Sequence, residues 1–198
     1  MSRYLQIRDE YLQKAWARTP EELSRCLPAE MEGDCLVFQA FSGKCLLSRE
    51  EITLAGESAD GPVGLLVALY ASCVSNMEIQ LHPLKSFKDL PNSMPYHAAF
   101  AANAEGILVP YVDQINLRQK IIISRFSGHS NKDAMSGDFS FTLFPLPRVP
   151  LYYIFHLPDD EFPASVTCLF AHNAHSFMPI DGLADVAEYT AKKIIAMI

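Results

Sequence analysis

The chain has 198 residues, 49% of them apolar and 11% aromatic, which is enough for one domain with a buried core and too apolar for wholesale disorder. Its 23 acids against 16 bases leave a net charge of −7, which argues against non-specific nucleic-acid binding and against docking on an anionic membrane, since both rest on clustered Lys and Arg. No apolar run reaches the roughly 18 residues of a membrane span, and the charged start, with Arg3, Arg8, Asp9 and Glu10, lacks the apolar core of a signal peptide, so the expected location is the cytoplasm.

In chain order, Tyr4, Ile7, Tyr11, Leu12, Ala15 and Trp16 recur at helical spacing and predict an amphipathic first helix. Thr19, Pro20 and Glu22 predict a second one, to about residue 27: Thr19 caps, Pro20 takes the first helical position and Glu22 completes a capping box. Residues 35–41 and 44–47 are β-like runs joined at Ser42-Gly43, a hairpin. Gly61-Pro62 opens a helix that is almost wholly apolar from 63 to 74 and is therefore expected to be buried on most sides.

Residues 84–95 read as a long loop. Ser93 is placed to cap a helix through Tyr96, His97, Phe100 and Ala104, with Gly106 and Pro110 interrupting or ending it. Residues 114–126 read as a helix stopped by Ser127-Gly128, with Gly as the usual left-handed residue, and 129–137 as a surface loop. Phe139, Phe141 and Leu143 alternate with Ser140 and Thr142, the pattern of a half-buried strand, and 151–157 and 166–170 are fuller apolar strands. Asp181 is placed to cap a last helix with Leu183, Val186, Ala187, Thr190, Ile194 and Ile195 on one face. Helices flanking two β regions favour α+β. The expectation is a single domain over 1–198, with an N-terminal helical segment (1–30), a mainly antiparallel sheet, helices packed on one face and the C-terminal helix across it.

Chemistry-bearing residues are few. Asp159-Asp160-Glu161 follow a strand and stand between Pro158 and Pro163. Adjacent carboxylates can supply a general acid or hold a hard cation. Pro and Asp also favour turns, and a solvated turn is the heavier reading. His172 and His175, three apart, would meet on a helix face and could ligate a metal, but no Glu lies between them and the segment reads as a loop. His97 and His156 read as half-buried imidazoles held by backbone carbonyls. Cys168 lies near His172 in sequence and reads as an inert buried thiol. The five cysteines, odd in number and without C-x-x-C, favour neither a disulfide framework nor a zinc site. Phosphate-loop, dinucleotide and nucleophile-elbow patterns are absent, as is a basic stripe with interleaved aromatics. The candidate site is therefore His156, Asp159, Asp160, Glu161 and His172, with no metal and no cofactor assigned.

Gly137-Asp138, Phe144-Pro145, Val149-Pro150-Leu151, Asp159-Asp160-Glu161-Phe162-Pro163-Ala164 and Leu169-Phe170 together resemble the signature of an uncharacterised prokaryotic family, a numbered domain of unknown function seen mostly in anaerobic bacteria and archaea. Ser86-Phe87-Lys88-Asp89-Leu90-Pro91 and residues 96–100 match its middle region, and the resemblance runs from roughly residue 34 to the C-terminus. It implies no catalytic residue. Some relatives are joined to, or encoded beside, iron–sulfur and corrinoid one-carbon proteins, although this chain lacks the clustered cysteines a cluster needs. Where many members carry Leu-Phe-Asp, this chain has Leu169-Phe170-Ala171; if that Asp completes a site with the upstream acids, the site is incomplete here. The leading functional expectation is a ligand-binding or accessory protein in anaerobic metabolism without catalysis of its own, taking a small molecule or a protein partner. The alternatives are a small hydrolase or lyase pairing Asp160 or Glu161 with His156 or His172, and a protein-interaction module.

Overall fold

The computed structural model describes residues 3–131 and 137–198. The expected loop falls partly on residues 132–136, outside the described residues. The fold is α+β, and among the described residues its antiparallel strands divide into two five-stranded sheets.

The first amphipathic segment is helix α1 (Arg3–Ala15), which buries Leu12 and Ala15 as expected, but also buries Arg8, paired with Asp60 at 2.7 Å, and leaves Tyr4 of the expected face exposed. Helix α2 (Pro20–Cys26) follows behind the expected capping box: the Glu22 N–H donates to Thr19 Oγ1 at 3.2 Å and the Thr19 N–H donates back to the Glu22 carboxylate at 3.4 Å. The first sheet is a meander in chain order, β1 (Glu30–Glu32), β2 (Cys35–Ala40), β3 (Gly43–Leu47), β4 (Ile52–Leu54) and β5 (Glu57–Ser58). The β2–β3 turn sits one residue earlier than expected. Phe41 and Ser42 occupy its two central positions with φ of +45° and +71°. A two-residue hairpin turn requires that conformation, which Asn and Gly adopt more readily. Burial offsets the strain: Phe41 is 1% exposed, its ring meets Tyr189 edge-on at 4.8 Å, and its N–H donates to the Pro145 carbonyl at 2.7 Å, tying this turn to the second sheet.

Helix α3 (Pro62–Cys73) buries most of its length, as its unbroken apolar run demands, and packs on α1. Gly64 makes its entry possible, because a Cβ there would overlap the Ala59 carbonyl oxygen. Within the expected loop, Lys85–Ser86 forms strand β6 and Phe87–Asp89 a 3₁₀ turn. Helix α4 (Met94–Phe100) is not capped by Ser93, whose hydroxyl donates back to the Leu90 carbonyl at 2.8 Å. The chain continues through a π-helical turn (Ala101–Glu105) and a 3₁₀ segment (Gly106–Tyr111) into α5 (Val112–Arg125). At its end Ser127, not Gly128, takes the left-handed conformation, with φ of +51°. Gly128 serves a different need: a Cβ there would overlap the Thr142 carbonyl oxygen.

The second sheet runs β6, β10 (Ser165–Phe170), β9 (Val149–His156), β8 (Phe139–Leu146), β7 (His129–Ser130). Its inner face carries Phe141, Tyr153, Phe155 and Phe170. Phe170 joins the stacked pair Phe87–Phe100, whose ring centroids are 4.3 Å apart. The outer face of β8 is not the solvated face expected: Ser140 and Thr142 are each 4% exposed, and on that side Thr142 shares a hollow with Leu81, His82 and Leu84. Helix α6 (Ile180–Ile195) buries Leu183, Val186, Ala187, Thr190 and Ile194 as expected. Its cap is Pro179, and Asp181 stands inside the first turn, where its carboxylate accepts the Gly182 N–H at 2.9 Å.

Two arginines close the structure. Arg18 donates to the carbonyls of Ala71 and Val74 at the end of α3. Arg148, in the β8–β9 turn, donates to the carbonyls of Cys26 (2.7 Å), Met77 (2.9 Å) and Arg25 (3.1 Å), while its own N–H donates to the Tyr70 hydroxyl. Apart from the Met77 carbonyl, which lies in a loop, these carbonyls are ones that helix ends leave without partners. Among the described residues no helix is long and apolar enough to cross a membrane.

Candidate functional site

The acid trio forms a closed corner after β9. Asp159 accepts the N–H groups of Glu161 (2.8 Å) and Phe162 (2.7 Å) on one carboxylate oxygen, and its own N–H donates to the Phe162 carbonyl at 3.0 Å. Those two backbone donors hold its carboxyl below the usual carboxylate value, since they favour the charged form. His156 and Asp159 line an open concavity of about 400 Å³ with Asp138, Phe162 and Ser165. Asp160 and Glu161 are exposed and do not line it.

His172 stands elsewhere. The β9–β10 register sets Ser165 opposite His156 and Phe170 opposite Leu151. The acid corner and His172 are thus at opposite ends of a hairpin, separated along β10 alone by five residues, or about 17 Å at ~3.3 Å each. Ala171 lies at the far end too, so an Asp in its place would not join the upstream acids. His175 lies in a short 3₁₀ turn (Ala174–Ser176) and is exposed. Among the described residues no three His, Cys, Asp or Glu side chains gather as a metal site requires.

His97 lacks the expected carbonyl partner: its Nδ1 is buried with no hydrogen-bond partner among the described residues. Cys168 is fully buried, and burial pushes its thiol well above the usual value, which suppresses the reactive thiolate. Its backbone N–H donates to Glu105 Oε1 at 2.9 Å. Strand β6 pairs with only Leu169 and Phe170, so Glu105 supplies the acceptor where β10 loses its strand partner.

A second place draws polar side chains together. Asn173, 5% exposed, accepts the Gln80 N–H on Oδ1 and donates from Nδ2 to the Glu78 carbonyl, both at 2.9 Å. The His172 N–H donates to the Gln80 carbonyl at 2.8 Å. These three bonds fasten the extended residues 78–80 and deliver residues 81–84 onto the outer face of the second sheet. There the register aligns His129 with Thr142 and Thr142 with Tyr152, a row on one face of three neighbouring strands. Under the loop this row encloses a cleft of about 120 Å³, with His82 in the roof and Asn131 beside Thr142, whose hydroxyl donates to Asn131 Oδ1 at 3.0 Å. Pro150 and Ala171 give it an apolar floor, and among the described residues no acid lines it. Apolar walls with a few convergent polar groups are what small-ligand sites share.

Of the cleft residues, Thr142, Pro150 and Ala171 stood out in the sequence only for strand pattern and family resemblance and not as parts of a site, and His82, His129, Asn131 and Tyr152 carry no such signal. His82 and His129 lie 47 positions apart in segments without periodicity, and only the strand order makes them neighbours. The polar face of β8 was the one available signal, and it read as a solvated face.

Fold and cleft define a two-sheet α+β protein with a small polar cleft on the outer face of its second sheet. The chain belongs to the family described as a domain of unknown function (DUF3786), which matches it over residues 19–193 and so takes in α2 and β1 as well as the region downstream of residue 34. No curated protein and no solved structure matches it.

Proposed function

We propose that this is a ligand-binding or accessory protein that holds a small molecule in the cleft between His82, His129 and Tyr152 without transforming it. The setting, anaerobic metabolism, rests on the family resemblance. The supporting observation is the aligned row of His129, Thr142 and Tyr152, set on rigid strands and roofed by a loop that Asn173 fastens. A site built on strands is pre-organised, which lowers the ordering cost of binding. A thermal-shift screen with small metabolites, nucleotides, tetrapyrroles and metal ions tests it. A native-state ligand at a hundred times its Kd adds about 2.7 kcal/mol, which for a chain of this size raises Tm by about 5–10 °C. A rise that Tyr152→Ala abolishes supports the cleft; no rise across the panel refutes the reading.

A second reading rests on the concavity that His156 shares with Asp159, Asp138 and Ser165. A carboxylate and an imidazole facing one hollow suit a small hydrolase or lyase. Turnover of simple esters or phosphoesters that His156→Ala eliminates and Tyr152→Ala spares would favour it over binding at the cleft.

A further inference from the structure

We infer that the cleft selects a small oxyanion, the size of a short carboxylate or a phosphate. This rests on the binding reading above and narrows its ligand. Four polar side chains on the hollow, Asn131, His82, His129 and Tyr152, can donate to a ligand. Thr142 has one hydroxyl proton and gives it to Asn131 Oδ1, which turns the Asn131 amide so that Nδ2, buried and with no partner among the described residues, is left to donate. His82, His129 and Tyr152 each bring a further N–H or O–H. In a chain of net charge −7, the described lining contains no Asp or Glu to repel an anion. An oxyanion taken from water must be met by several donors at once, and those donors gain strength from its charge. The hollow is small, about 120 Å³, which suits a compact ligand such as acetate or inorganic phosphate.

The test is a titration of the folded full chain followed by imidazole ¹H–¹⁵N resonances, with His82 and His129 assigned from single alanine variants. The probes are acetate, inorganic phosphate, acetamide as the neutral counterpart of acetate, and zinc ion. Acetate or phosphate is expected to shift both imidazoles saturably with a Kd of about 1 mM or tighter, while acetamide leaves them unmoved. His82→Ala combined with His129→Ala is expected to weaken binding at least about tenfold, and His156→Ala, at the acid corner, to leave it unchanged. Both cleft histidines are exposed, so these variants retain the fold. Equal or tighter binding of acetamide or zinc at the same imidazoles would overturn the oxyanion assignment and leave the cleft as a ligand site. No saturable shift with either anion also overturns it; if the thermal screen finds no ligand either, the binding reading falls with it.

Discussion

Replacing Asn173 with alanine tests whether the cleft roof is held by one buried amide. The substitution removes the acceptor for the Gln80 N–H and the donor to the Glu78 carbonyl, both 2.9 Å bonds of a side chain 5% exposed. Buried backbone groups left unpaired cost about 1–3 kcal/mol each, but Glu78 and Gln80 are exposed residues whose freed groups can turn to water, so the net loss sits near about 1 kcal/mol per bond. The expected cost is about 2 kcal/mol, or a fall in Tm of about 4–8 °C. The effect should be local before it is global. Hydrogen exchange at the Gln80 amide is expected to accelerate more than at Tyr153 or Phe155, whose strand lies inside the sheet, and ligand affinity in the cleft to drop with it. Chemical denaturation together with exchange by mass spectrometry reads both. A variant with unchanged stability and a Gln80 amide still protected would refute the clamp, and with it the claim that residues 81–84 are held over the sheet by Asn173.

Two further expectations follow from the core. Glu105 is pushed above its ordinary carboxylate value, first by burial, with the Cys168 N–H and the His97 imidazole opposing. A raised folded value means that its contribution to stability is fully present below the unfolded value and is lost as pH rises through the folded one. Glu105→Gln keeps an oxygen for the Cys168 N–H and cannot ionise, so it is expected to be more stable than the parent at pH 7, with the difference shrinking to nothing in acid; Tm measured from about pH 4 to pH 8 decides, and a variant less stable at pH 7 would overturn the argument. Gly64→Ala would drive a Cβ into the Ala59 carbonyl oxygen at the entry of α3, which cannot yield as a flexible side chain can; a loss of about 3 kcal/mol is expected by denaturant titration, and wild-type stability would show that the helix shifts freely.

The sequence was legible where a period runs long enough to be read. Strands β8, β9 and β10 and helices α3 and α6 each bury a face or a length that residue spacing announces; α1 follows its spacing only in part, since Tyr4 is exposed and Arg8 buried, and α5 leaves Leu117 exposed. Asp159 was legible as a turn residue for a local reason, since its carboxylate bonds backbone two and three positions on. Two-residue edges such as β6 and β7 carry no period, and both fell within expected loops. Ser127 and Gly128 exchanged expected roles because the close approach of β8, a tertiary contact, decides which of them must lack a Cβ. The cleft was illegible for the same reason: His82, His129 and Tyr152 become neighbours through strand order, and Asn173 reaches back more than ninety positions to fasten its roof.

The acid corner and the cleft lie at opposite ends of the β9–β10 hairpin, and register connects them. Asp138 accepts the Leu157 N–H on its carboxylate at 2.7 Å while its own N–H donates to the Phe155 carbonyl at 2.9 Å, which locks β8 against β9. Asp159 closes the corner that leads from β9 into β10. A slip of one residue in either pairing would turn every side chain of the moved strand to the other face. Tyr152 would then leave the row with Thr142 and His129, and Tyr153, now buried inside, would come out. The Gly137-Asp138 and Asp159-Asp160-Glu161-Phe162-Pro163 segments thus hold the strand alignment on which the cleft, at the other end of the same strands, depends.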